Sequence, residues 1–148
     1  MPFMLDEFLP YRLNVAATLI SRRFAALHQD ETGLSIPEWR VMAHLANEGQ
    51  VSIRDIHAKV NLDKSIVSRA AARLEQAGHL RKTGHAQDRR LISLELTSKG
   101  RKLMRRLGEI ANGFQARLRA ELGPDAERFE TMLERLIAGA DRDSDSAA

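Results

Sequence analysis

The apolar residues of this chain keep a helical period up to Gly78 and change to an alternating one between Leu80 and Leu96. That switch restricts the middle of the molecule to a run of short helices followed by a β-hairpin. Ser35-Ile36-Pro37-Glu38 is a helix start: Ser35 can accept from an orphan N–H, Glu38 can reach back as a capping-box partner, and proline suits the first turn. Trp39, Val41, Met42 and Leu45 follow, and Gly49 marks the stop. Ser52-Ile53-Arg54-Asp55 repeats the capping pattern and predicts a second short helix with Ile53, Ile56 and Val60 inward, ending at the polar turn Asn61-Leu62-Asp63. A third helix begins at Asp63, with Ile66, Ala70 and Leu74 on one face, flanked by Val67 and Ala71. Gly78 stands where a left-handed residue closes such a helix. After it, residues 80–83 and 91–96 flank the polar segment Gly84-His85-Ala86-Gln87-Asp88-Arg89-Arg90, and Ile92, Leu94 and Leu96 alternate with Ser93 and Glu95, the pattern of a hairpin.

Long helices bracket this unit. Leu9, Leu13, Ala16, Ile20, Phe24 and Leu27 form one stripe on a helix expected from about residue 6 to 28, with Pro10 in its first turn. Thr97 or Ser98 caps another that carries Leu103, Leu107, Ile110, Phe114, Leu118 and Leu122. Gly123-Pro124 separates it from a last helix with Phe129, Met132, Leu133, Leu136 and Ile137. Residues 141–148, all Asp, Arg, Ser and Ala, offer nothing to bury and are expected to be a disordered tail. The fold expected is mainly α with a small β-hairpin wing: a winged helix-turn-helix over residues 34–97, with residues 6–32 and 98–140 as dimerisation helices in a single domain.

Charge is segregated in the same way. Residues 52–106 hold 14 Lys/Arg against 5 Asp/Glu, while the remainder hold 9 against 15. A basic centre framed by acidic helices is the electrostatic footprint of a polyanion binder. Two short helices and a turn, followed by a hairpin, present one helix to a major groove and a basic strand tip to the neighbouring backbone or minor groove. On the third helix Lys64, Ser65, Ser68, Arg69 and Arg73 share the outward face, where Arg reads guanine edges or phosphate and Ser anchors phosphate. The small residues Ala70, Ala71 and Ala72 would admit a close approach of the helix. The plainer alternative, a merely solvated charged face, is disfavoured because no acidic residue stands four positions before Arg69 or Arg73. At the hairpin tip Arg89 and Arg90 are expected to meet DNA, with Asp88 orienting an arginine.

The run Asp88-x-Arg90-x(5)-Leu96-Thr97, followed by Gly100, resembles the wing signature of the multiple antibiotic resistance regulator (MarR) family. The stretch Ile66-Val67-Ser68-Arg69 through Leu74-Glu75-Gln76-Ala77-Gly78-His79-Leu80 is similar to that family's recognition helix. The resemblance implies an obligate dimer of triangular outline whose terminal helices interleave, each winged unit reading half of a near-palindromic operator. Ser65, Ser68, Arg69 and Arg73 would meet the major groove and Arg90 the minor groove. The apolar stripes support a homodimer independently, since they exceed what a small winged core can cover.

The resemblance also implies a transcription regulator, usually a repressor, that releases its operator when a small aromatic or phenolic acid binds between the dimer helices and the winged unit. Trp39, Arg40 and His44, with Tyr11 and Asn14 from the first helix, are the candidate ligand residues: an aromatic wall, a fork for a carboxylate and polar contacts. In the alternative reading Trp39 is a core anchor, Arg40 an ion-pair partner and His44 an ordinary helix histidine. Two other functions stand beside the regulator: a ligand-blind architectural DNA-binding protein, and a winged-helix module for protein partners.

Other chemistries find no support. With no cysteine, disulfides, thiolate metal sites and the family's cysteine-based peroxide sensing are excluded. His28, His44, His57, His79 and His85 form no i, i+4 pair, so neither a metal site nor a cofactor is expected. No glycine-rich phosphate loop, H-E-x-x-H or G-x-S-x-G motif appears, so the chain is not read as an enzyme. It has no signal-peptide pattern and no apolar run of membrane-spanning length, and is expected to be cytoplasmic, without a membrane partner.

Overall fold

A computed structural model describes residues 2–84, 87 and 92–147. The elements in order are α1 (Leu9–Thr32), α2 (Ile36–Glu48), β1 (Gln50–Ser52), α3 (Ile56–Lys59), α4 (Lys64–Gln76), β2 (Leu80–Thr83), β3 (Ser93–Leu96), α5 (Ser98–Leu122) and α6 (Ala126–Ala147). The chain divides into two compact units, residues 1–110 and 111–148, and α5 contributes to both.

The predicted punctuation holds where local chemistry decides it. Pro10 sits at the start of α1. Ser35 caps α2, its hydroxyl oxygen accepting from the Glu38 N–H at 3.3 Å. Gly49, Gly78 and Gly123 take positive φ beyond their helices. Glu38 departs from the capping-box expectation: its carboxylate accepts from the Ser35 hydroxyl at 2.8 Å instead of reaching a backbone N–H.

In the first unit the core is built from one face of each element. Val41, Met42 and Leu45 of α2 are buried with Ile56 of α3, Val67, Ala70, Ala71 and Leu74 of α4, and Val51, Leu80, Leu94 and Leu96 of the sheet. Burying each of the larger side chains contributes about 1.5–3 kcal/mol. The sheet is antiparallel in the order β1-β3-β2, with Val51 opposite Leu94 and Leu80 opposite Leu96.

The wing is thus a hairpin with a third strand, which corrects the helix expected from Ser52. Ser52 pairs with Ser93 in the sheet, its hydroxyl donates to the Asp55 carboxylate at 3.1 Å, and helix begins only at Ile56. The β-branched Val51 buries itself best against Leu94, and that pairing outweighs a weak local cap.

In the second unit Phe114 and Ala126 are buried, whereas Leu122, Phe129, Met132, Leu136 and Ile137 are exposed. Arg119 and Glu130 pair across the Gly123–Asp125 turn at 2.6 Å. Helix α6 runs on to Ala147, where the sequence led us to expect a disordered tail from Asp141. With no proline or glycine beyond Gly139, extending a formed helix requires no new nucleation.

Candidate nucleic-acid interface

Helix α4 is set up by a turn that reverses the chain after α3. Asn61 takes φ +56°, the left-handed conformation that Asn tolerates, and the Leu62 N–H donates to the His57 carbonyl at 3.3 Å. With Val67, Ala70, Ala71 and Leu74 buried, Lys64, Ser65, Ser68, Arg69, Ala72 and Arg73 are left exposed. All five residues predicted for the recognition face therefore share one surface. Ala70 and Ala71 do not belong to it, because they lie in the core; of the three alanines only Ala72 faces out.

The arginines of this face differ. Arg73 is tied to Glu38 of α2, Nε to Oε1 at 3.2 Å, a partner 35 residues away that helical spacing does not reveal. Among the described residues neither Lys64 nor Arg69 has an ion-pair partner. The strand cations are paired, Arg81 with Glu95 of β3 at 2.7 Å and Lys82 with Glu75 of α4 at 3.7 Å. Among the described residues the uncompensated positive charge of the helix face rests on Lys64 and Arg69. Asp88, Arg89 and Arg90 lie outside the described residues.

The ligand candidates divide between two cavities. One of about 550 Å³ between α1 and α2 is lined by Asn14, Thr18, Ser21, Arg22, Arg40 and Asn61, among others. The second, of about 360 Å³, has Trp39, Arg40, His44 and Asn47 in its wall. Arg40 belongs to both; Tyr11 lines neither. The structure thus brings Asn14 to Arg40, and Trp39 to Arg40 and His44. It adds Arg22, which sequence reasoning missed although Asn14, Thr18 and Arg22 recur at four-residue steps as a polar stripe on α1. Trp39 serves both readings, because its ring also meets Phe24 edge-on at 5.2 Å while the Arg40 guanidinium stands 5.9 Å from its centroid.

His28 anchors the other side of this aromatic cluster. Its ring lies 4.7 Å from Phe24 and is fully buried, with Nδ1 2.8 Å from the Thr32 hydroxyl and Nε2 without a partner among the described residues. Burial pushes its pKa below the usual histidine value, only partly opposed by its backbone hydrogen bond. His79 is lowered too, by burial first and by Lys99 second, with Glu38 opposing. A depressed folded pKa means that the unfolded chain binds more protons below about pH 6.5, so stability is present above that pH and is lost as pH falls through it. Thermal unfolding at about pH 7.5 and about pH 5.5 is expected to show a lower midpoint in acid, and the difference should shrink in H28Q. An equal difference in both proteins would refute the assignment to His28.

Among the described residues no three His, Asp or Glu side chains converge as a metal site, and no helix is long and apolar enough to cross a membrane.

A helix-turn-helix closed by a three-stranded sheet, with the second helix of the pair turned outward and basic, defines a winged helix-turn-helix protein. Residues 34–92 match the sequence profile of the MarR family. The chain is 32% identical to the HTH-type transcriptional regulator TtmR of Methylorubrum extorquens over 69% of this chain, and that match spans about half, 52%, of TtmR. Its fold resembles the MarR family regulator SPO1453 of Silicibacter pomeroyi, with a TM-score of 0.81 at 25% identity over 94% of this chain and 99% of the other. It also resembles BpsR of Bordetella bronchiseptica, whose DNA binding is regulated by 6-hydroxynicotinic acid, with a TM-score of 0.78 at 22% identity over 93% and 98% of the two chains.

Proposed function

We propose that this protein is a homodimeric repressor that occupies a near-palindromic operator and is released by a small aromatic or phenolic acid. The observation that carries the DNA half is the division of α4 into a fully packed face and an exposed face bearing Lys64, Ser65, Ser68, Arg69 and Arg73, with Arg69 unpaired among the described residues. In this reading Arg89 and Arg90 reach the minor groove or its phosphates and Asp88 orients them. The dimer is supported by the apolar surface each unit leaves exposed: Phe3, Leu9, Leu13 and Leu27 in the first, Phe129, Leu136 and Ile137 in the second.

The effector half is supported by Arg40, a guanidinium shared by a polar cavity and an aromatic-walled one, a donor set suited to an aromatic carboxylate. The regulation of BpsR by a hydroxylated aromatic acid agrees with that chemistry. Nothing in this account requires catalysis.

The test uses genomic fragments retained by the protein. Light scattering should give a dimer at micromolar concentration. Affinity for a retained fragment should fall roughly 10³-fold or more between about 50 and 200 mM salt, if about six phosphates are contacted. A panel of aromatic acids should include compounds that raise the thermal midpoint and release the fragment, and R40A should lose both responses while still binding DNA. A stable monomer, or salt-independent retention, would sink the proposal; intact DNA binding with no response to any acid would favour the ligand-blind alternative.

A further inference from the structure

The last turn of a helix leaves carbonyl groups without intrahelical partners. At the end of α4 those of Arg73, Leu74 and Glu75 accept from the N–H groups of Ala77, His79 and Gly78, and the carbonyls of these three residues, the C-cap and the two beyond it, find partners in one short segment about twenty residues later. The Lys99 ammonium donates to the Ala77 carbonyl at 2.7 Å, the Thr97 hydroxyl to that of Gly78 at 2.6 Å, and the Thr97 N–H to that of His79 at 3.0 Å. The same Thr97 oxygen accepts from the Gly100 N–H at 3.1 Å, as the cap of α5. One threonine therefore closes α4 and opens α5. Gly100 is buried against the His79 backbone so closely that a Cβ there would stand 2.0 Å from the His79 carbonyl oxygen. Lys99 adds a positive charge at the negative end of the α4 dipole.

These contacts bear on orientation more than on core packing. Thr97 is half-buried and Lys99 exposed, so neither supplies much hydrophobic stability. Yet both hold the C-terminal end of the helix whose exposed face carries Ser65, Ser68, Arg69 and Arg73. We propose that Thr97, Lys99 and Gly100 are positioning residues for DNA recognition: a latch that fixes the aim of α4 without touching DNA. The inference rests on the reading above that the exposed face of α4 meets the operator. Without the latch α4 samples other tilts, and apparent affinity falls by the fraction of molecules still correctly aimed. Base-edge contacts demand a defined helix angle, whereas phosphate contacts tolerate more, so the loss should fall on specific binding.

The experiment compares the full-length K99M, T97V and T97S proteins with the wild type on two duplexes, one selected by the wild type from genomic fragments and one of random sequence. K99M keeps the aliphatic stem and serves as the decisive variant should T97V fold poorly. K99M and T97V are expected to weaken binding to the selected duplex about tenfold. Binding to the random duplex should change by less than about threefold, the salt dependence should stay as in the wild type, and T97S should restore affinity. Selected-duplex affinity within about twofold of wild type, whatever happens to the thermal midpoint, overturns the latch. An equal loss on both duplexes with a shallower salt dependence overturns it as well, because Lys99 would then be a phosphate contact. R69A run alongside separates the two levels of argument. Unchanged binding by R69A refutes the recognition-face reading, and loss with R69A but not with the latch variants refutes the latch alone.

Discussion

Alanine at position 100 is expected to lower the thermal midpoint by roughly 6–12 °C. The new Cβ would stand 2.0 Å from the His79 carbonyl oxygen, 3.0 Å from its carbon and 3.3 Å from its Cα. All three obstacles are backbone, so no rotamer change relieves them. That oxygen is also held by the Thr97 N–H, and moving it breaks a second contact. Overpacking against a fixed backbone costs about 3 kcal/mol. Circular dichroism melts of G100A and G108A make the comparison, because a Cβ at Gly108, also in α5, would meet nothing within 4 Å. G108A is expected to be neutral or stabilised by up to about 1 kcal/mol. Similar midpoints for the two variants would show that the start of α5 is not seated against His79.

Replacing Arg69 with alanine is expected to weaken operator binding roughly 10–150-fold, with little change in the melting midpoint. The side chain is exposed on α4 and carries no ion pair among the described residues, so folding gains little from it. R73A should cost less, because the Arg73 guanidinium must leave Glu38 before it is fully available to DNA. Fluorescence anisotropy at one fixed salt concentration, repeated on duplexes altered one base pair at a time, gives both the magnitude and the type of contact. A uniform loss across sequences marks a phosphate contact; a loss confined to one base pair marks base readout. Wild-type affinity in R69A, or an effect smaller than that of R73A, would reverse this assignment.

What the sequence conveys about the fold depends on the range over which each feature is decided. Ser35, Gly49, Gly78 and Gly123 act within one turn of chain, and their roles as caps and stops are legible from neighbours alone. Strand β1 is different: Val51 becomes a strand residue because Leu94 lies opposite, 43 positions later, while Ser52 and Asp55 advertise a helix start nearby. The composition of the exposed face of α4 follows from helical period and needed no tertiary information. Its inequality did need it, because the i, i+4 rule sees only the same helix and Glu38 approaches Arg73 from α2. Around Arg40 the aromatic and basic residues are legible from their chemistry alone. The polar stripe of Asn14, Thr18 and Arg22 has four-residue spacing on α1, but only the packing of α1 near α2 brings it into one cavity with Arg40.

Glu38, Trp39 and Arg40 are consecutive, and they face three different things. Glu38 holds Arg73 of α4, Trp39 meets Phe24 of α1, and Arg40 lines both cavities. A single helical turn, about 5.4 Å of rise, carries all three side chains. Whatever occupies the cavity beside Arg40 is therefore separated from the tether on Arg73 by rigid backbone and no loop. A rotation of α2 would move the cavity lining at Arg40 and the Glu38–Arg73 pair together, so under the proposed function sensing and DNA contact would need no relay between them.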